Sequence, residues 1–247
     1  MHPRNPVAAE PGICALGGVL RILAIILACA LVAGCTTSVV KSVGPGVAAA
    51  APDAKTLLVQ PDVQLSLLTA SGLQERRADW SEQGQANLAA AVAEALEGRS
   101  HPIQVLDPAT SMEGRTGQVL RLHSAVGQSI VAFEYTGVKL PTKKGSFDWT
   151  LGEGAQALHA ATGAEYALFV TAQGNYASAG RKAMMVGAAL LGVSVPLGSQ
   201  QIMASLVDLR TGRVVWFNQA VAGPSADIRT PEGARLLAKD LLKSAPL

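Results

Sequence analysis

Hydrophobic positions along this 247-residue chain fall into three regimes. Near the N-terminus an unbroken apolar run covers residues 22–32 behind Arg21, followed by the small residues Ala33 and Gly34 and by Cys35. Residues 36–54 are rich in Pro, Gly and Ala and show no period, which describes a flexible tether. From residue 55 onward the two periods of folded structure alternate. Residues 55–60 (KTLLVQ) read as a short strand stopped by Pro61, and Val63, Leu65 and Leu67 alternate with polar residues as a second extended segment. Leu88, Val92 and Leu96 stand four apart and predict an amphipathic helix over 82–97, capped by Asp79 or Ser81 and ended by Gly98. A strand at 103–106 follows. Val119, Val126, Ile130 and Phe133 predict a helix over 116–135. Leu151, Ala155 and Leu158 share a face of another helix that closes at Gly163.

Residues 166–172 (YALFVTA) are β-rich and apolar enough for a central strand. Residues 200–208 and 213–218 flank Asp208-Leu209-Arg210-Thr211-Gly212 and read as a β-hairpin, with Gly212 supplying the turn. Beyond Pro224, Thr230 and Pro231 take the N-cap and first position of a closing helix whose Leu237 and Leu241 face inward. The order of elements predicts an α/β (α+β) fold: a mixed sheet of about five strands flanked by helices, with a C-terminal hairpin and closing helix. No internal repeat is visible.

The apolar run changes what the rest means. A positive flank, an apolar core and a small-residue exit form the secretory-signal pattern. The ending Leu31-Val32-Ala33-Gly34-Cys35 resembles a bacterial lipobox, in which the cysteine is lipidated on its thiol and becomes the new N-terminus. That resemblance implies a signal peptide over 1–34, a lipidated tether over 35–54 and one periplasmic domain over 55–247. Residues 22–40 carry no charge, so an uncleaved membrane helix is the bland alternative, and a buried core helix a second; neither accounts for Ala-Gly-Cys at that place. The stretch before Arg21 carries Glu10 against Arg4 and is long for such a signal, which points to a translation start nearer Val19. In the lipobox class a residue other than Asp after the cysteine, here Thr36, implies export to the outer membrane.

Composition narrows the chemistry. Removing 34 of 247 residues leaves 213, enough for a self-supporting core. Of Cys14, Cys29 and Cys35 only the lipidated one remains, so neither disulfides nor thiolate metal sites are expected. Losing Arg4, Arg21 and Glu10 takes the formal charge from +2 to +1, which suggests no nucleic-acid partner. Aromatic residues are only 4% of the chain, so the core is built of small aliphatics.

Candidate chemistry is sparse. Gly127-Gln128-Ser129 begins like a nucleophile elbow, but it lacks the closing Gly and lies in a helical pattern, which makes Ser129 an ordinary helix residue. His101, His123 and His159 are not at metal-ligand spacing and have no adjacent Asp or Glu. Residues 137–145 (GVKLPTKKG) have no Walker pattern, and Pro141 interrupts any amide cradle. No enzyme and no cofactor is expected. Residues 180–198 (GRKAMMVGAALLGVSVPLG) fit nothing else: too short to span a bilayer and too apolar for an exposed loop. Three readings compete there. It is a core helix or cross-connection, a self-association surface at which Gly187, Ala188 and Gly192 allow close approach, or a lipid-contacting or pore-lining element anchored by Arg181 and Lys182 with Leu190 and Leu191 as its apolar part.

The hairpin carries a resemblance. Residues 201–208 (QIMASLVD), then Thr211-Gly212 and Val215-Trp216, are similar to a strand-turn-strand of several periplasmic lipoproteins: the curli-secretion channel lipoprotein, lipoprotein activators of penicillin-binding proteins, and lipoproteins of exopolysaccharide export. Stretches such as LPTKKGSFDWTLG look more like an uncharacterised lipoprotein family than any of these three. The resemblance implies a mixed sheet flanked by helices, an envelope location and no functional residue beyond Cys35. The leading expectation is therefore a non-enzymatic scaffold or secretion accessory, held to the membrane by its lipid and open to a homo-oligomer or an envelope protein as partner. The alternative is a glycan- or small-molecule-binding domain that uses Lys143, Lys144 and Trp149.

Overall fold

β-branched and apolar residues, broken by Pro and Gly, set the strands, and helices close over both faces of the sheet they form. The computed structural model describes residues 37–42, 50–51, 53–97, 99, 102–110, 113–143, 145–223 and 226–247. The expected signal segment 1–34, Cys35, Gly98, His101 and Lys144 lie outside the described residues.

The strands are β1 (Thr37–Ser42), β2 (Thr56–Val59), β3 (Asp62–Leu68), β4 (Gln74–Arg76), β5 (Ile103–Leu106), β6 (Tyr166–Ala177), β7 (Gly198–Asp208) and β8 (Val214–Ala222). The main path across the sheet is β1-β8-β7-β6-β2-β5, with the β3–β4 hairpin attached to β6. β6 is the spine. Its first half pairs in parallel with β2 (Leu57 with Ala167) and its second half in parallel with β3 (Leu65 with Gly174), while β7 runs antiparallel along its other side. β2 is buried along its whole length, as suits a parallel strand covered on both faces.

The helices are α1 (Ala78–Glu97), α2 (Gly114–Ile130, continued by a π turn over Val131–Tyr135), α3 (Gln156–Thr162, after a 3₁₀ turn at Glu153–Ala155), α4 (Ala179–Leu190) and α5 (Pro231–Leu242). α1 and α5 cover one face: Leu88, Val92 and Leu96 of α1 and Leu237 and Leu241 of α5 pack with Leu168, Ile202 and Trp216 of the sheet. On the other face Val119 and Ile130 of α2 and Leu158 of α3 pack with Leu57, Phe169 and Phe217. The α/β class, the mixed sheet, the hairpin and the closing helix are as the sequence implies. Thr230 caps α5 by accepting from Gly233 N at 3.1 Å, with Pro231 behind it.

Three local details differ from the sequence reading. Among the described residues two short strands, β1 and β4, join the segments named from sequence in the sheet. α1 begins before both expected caps: Asp79 pairs with Arg77 at 2.6 Å, and Ser81, already inside the helix, donates to Arg77 O and accepts from Leu65 N. Most consequential, residues 37–42 of the expected tether form β1, paired antiparallel with β8 from Thr37–Val221 to Ser42–Trp216. The physical reason is that β8 would otherwise be an open edge with unpaired N–H and C=O groups, and TSVVKS is β-prone enough to cover it. Tyr135 adds a bond from its hydroxyl to Val39 O at 2.8 Å.

The hairpin signature is structural throughout. Asp208 accepts from Arg210 N at 2.9 Å and from the Thr211 hydroxyl at 2.8 Å. Gly212 has φ +72°, and a Cβ there would stand 2.1 Å from Gly152 O, so no other residue fits. Trp216 is fully buried in the core.

Candidate functional site

The element that sequence reading left undecided is the one the fold leaves uncovered. β6 ends at Ala177, Ser178 accepts from Arg181 N at 3.1 Å as the N-cap, and α4 runs for twelve residues, about 18 Å. Its end is a Schellman motif: Gly192 N donates to Ala189 O at 3.0 Å and Val193 N to Ala188 O at 2.9 Å, with Gly192 at φ +74°. The chain then returns through Val195 and Pro196 to β7. At the base Ser178 N donates to Leu68 O, Ala177 N to Leu197 O, and Arg181 Nε to Pro196 O at 2.8 Å.

No residue of α4 is buried. Leu190 is 85% and Leu191 82% exposed, and Met184, Val186, Val193 and Leu197 are exposed as well. The core-helix reading of residues 180–198 is therefore overturned: α1 and α5 pack on one face of the sheet and α2 and α3 on the other, and α4 joins neither layer but connects β6 to β7. Arg181 is half-buried and acts as a strut between the two arms of the projection, whereas Lys182 is exposed. Gly187 is exposed, and a Cβ there would meet nothing within 4 Å, so its small size serves no packing within this chain.

The second surface is the uncovered half of the α2-facing sheet. On β6, Phe169 lies under α2, and Thr171, Gln173 and Asn175 continue the same face beyond it. Register places Gln64, Gln173 and Gln201 in one row and Ser66, Asn175 and Ser199 in the next. This polar floor lines a cleft of about 680 Å³, with Arg76 and Arg77 at its rim.

The remaining candidates resolve into structure. Ser129 lies within α2 and donates to Ala125 O, as an ordinary helix residue does. His123 is buried, stacks on Phe169 at 3.7 Å and lies 2.6 Å from the Ser205 hydroxyl. Burial pushes its pKa down to about 3. A base that weak does not draw a proton from serine at neutral pH, so the pair is a buried polar contact within the packing and not an activated nucleophile. His159 bonds Ala164 O at 2.7 Å at the end of α3. Among the described residues no three His, Cys, Asp or Glu side chains gather as a metal site.

The loop proposed for glycan stacking is occupied by its own contacts. Trp149 is 8% exposed; its indole N–H donates to Glu134 Oε1 at 3.0 Å, Phe133 stacks near it, and the Lys143 ammonium sits 4.5 Å above its ring. Lys143 also donates to the Asp148 carbonyl. Trp149 is a packing anchor, and no face of it is open to a sugar.

No family model and no curated protein matches the chain. Solved structures similar in outline include the PelC dodecamer from Paraburkholderia phytofirmans, at 15% identity and TM-score 0.39 over 86% of this chain and 96% of that one. Lipoprotein GNA1162 from Neisseria meningitidis aligns at 14% identity and TM-score 0.28 over 69% and 80%. The LpoB C-terminal domain from Salmonella enterica aligns at 14% identity and TM-score 0.26 over 72% and 86%. Likeness at this level carries no function across.

Proposed function

We propose that this chain is an outer-membrane lipoprotein, anchored through Cys35, whose periplasmic domain is a non-enzymatic scaffold in envelope assembly or secretion. The observation that carries it is α4. Beyond Lys182 this helix carries no charged residue, and none of its residues is buried, so its apolar surface is left for a contact outside the described residues, whether membrane or protein. The lipobox-like ending at Cys35 supports an envelope location for that contact. Fractionation and crosslinking in cells test the reading. Wild type should sediment with outer membranes, Cys35→Ser should appear in the soluble periplasm, and crosslinking should capture an envelope protein or a second copy. A protein that stays soluble with Cys35 intact sinks the anchor, and an absence of any adduct sinks the scaffold.

A glycan-binding role keeps one observation in its favour, in a different place from the Lys143–Trp149 loop. The Gln64–Gln173–Gln201 row offers amide donors and acceptors along an open cleft, a chemistry suited to hydroxyl-rich polymers. A thermal shift with peptidoglycan fragments that is lost in Gln173→Ala supports this second reading, and no shift removes it.

A further inference from the structure

We infer that the α4 projection docks tip-first into the same bilayer that holds the lipid on Cys35, so that the domain stands on the membrane at one end of its sheet. The inference rests on the lipoprotein reading above and adds an orientation and a second contact to it.

Strand register supplies the decisive relation. β6 ends where β7 begins (Tyr176 with Gly198), β8 ends at that same end (Ala222 with Gln200), and β1 starts there (Thr37 with Val221). The chain therefore enters the sheet at the end from which α4 leaves it. Thr37, Val221, Gln201 and Gln173 form one row across β1, β8, β7 and β6, about 14 Å wide at ordinary strand spacing. Cys35 precedes Thr37 by two residues, a reach of about 7 Å. With β1 paired, Thr36 alone separates the lipidated residue from the sheet. A bilayer that holds the lipid is thus brought against the end that carries α4, and α4 meets it at high local concentration.

The projection has the polarity that such a surface requires. Lys182 stands near the base, and no charged residue follows until Asp208. Lys182 and Leu190 are eight residues apart on one helix, about 12 Å along the axis, which suits an ammonium at the headgroups and leucines among the upper acyl chains. No described helix is long and apolar enough to cross a membrane, so the contact is with one leaflet. The Schellman turn at Gly192 and the Arg181–Pro196 strut hold the tip in shape before it meets lipid.

The test uses the full mature protein, reconstituted into vesicles of phosphatidylethanolamine and phosphatidylglycerol. Its only cysteine is Cys35, so a spin label can be placed at Leu190→Cys, Lys182→Cys or Arg210→Cys, the last in the hairpin turn at the far end of the sheet. Accessibility to dissolved oxygen against a water-soluble nickel chelate reads depth. We expect acyl-chain values at position 190, headgroup values at 182 and aqueous values at 210, with 182 turning aqueous in the Leu190→Ser, Leu191→Ser background. Aqueous values at 190, shielding of 190 from both reagents as in a protein interface, or no response of 182 to the double substitution each overturn the docking. Mass spectrometry of the same preparation separates the two layers. A mature chain without lipid on Cys35 overturns the anchor reading and the docking with it, whereas a lipidated protein with an aqueous position 190 overturns the docking alone.

Discussion

Acid should destabilise this domain through one buried imidazole. His123 lies between α2 and β6, stacked on Phe169 and bonded to Ser205, and its pKa is pushed down to about 3 from an ordinary 6.5 by burial. The unfolded chain binds a proton at His123 below about pH 6.5, and the folded chain does not until about pH 3. Stability from this group is therefore complete above 6.5, is lost as pH falls through the window between the two values, and levels off below about 3. Between about pH 7 and pH 5 the loss amounts to about 2 kcal/mol, since each decade of unmatched protonation is worth about 1.4 kcal/mol. Asp227 also has a lowered pKa. Its burial works to raise it, but the Arg229 guanidinium bonded to it at 2.6 Å prevails, and its stabilisation is lost only at lower pH, through the carboxylate range. The assay is urea unfolding of the mature Cys35→Ser chain at both pH values, beside His123→Gln, which keeps a polar group near Ser205 without a titration. Wild type should lose about 2 kcal/mol more than His123→Gln on acidification. Equal losses would mean that the folded protein accommodates the imidazolium, and the argument from burial would fail.

Other outcomes follow from single contacts. Gly198→Ala should cost about 2 kcal/mol or more in urea unfolding, because φ is +116° and the new Cβ would stand 2.1 Å from Asn175 O. Trp149→Ala should cost about 3–5 kcal/mol by loss of a buried anchor, yet leave any glycan-induced thermal shift per mole of folded protein unchanged. Hydrogen exchange should show the alternate amides of Thr37–Ser42 that face β8 protected about a hundredfold or more over free chain; exchange of all six at the free rate would restore the tether and detach the membrane geometry from β1. Asp208→Ala should cost about 1–2 kcal/mol by removing the acceptor that closes the hairpin turn.

Elements that bury a periodic face were legible from sequence: the stripe Leu88–Val92–Leu96, the closing helix with its Thr230 cap, the apolar 166–172 strand and the Asp208–Gly212 turn. Each is decided by neighbours within one or two turns of chain. β1 was not legible, since six residues of Thr, Ser, Val and Lys become a strand only when β8, some 180 residues later, presents an unpaired edge. The His123–Ser205 contact was hidden for the same reason, lying across 82 positions. Trp149 beside two lysines invited a ligand in sequence, and three dimensions supplied Glu134 and Phe133 instead. The α4 segment was visible as an anomaly, but local pattern cannot tell a helix awaiting the core from one left outside it.

The position of β6 in the chain sets the order of events in folding. Leu57 pairs with Ala167 and Leu65 with Gly174, so β2 and β3 meet their shared partner β6 only after more than a hundred further residues, although β2 meets β5 sooner. Parallel pairings over such separations form slowly, because the loop between them must close before any contact rewards it. Until β6 arrives, β2 has only β5 and β3 only the short β4 as a partner, and one side of each stays unpaired. A chain built this way keeps strand edges unpaired until late in its synthesis, which is the condition under which non-native pairing between chains competes with folding.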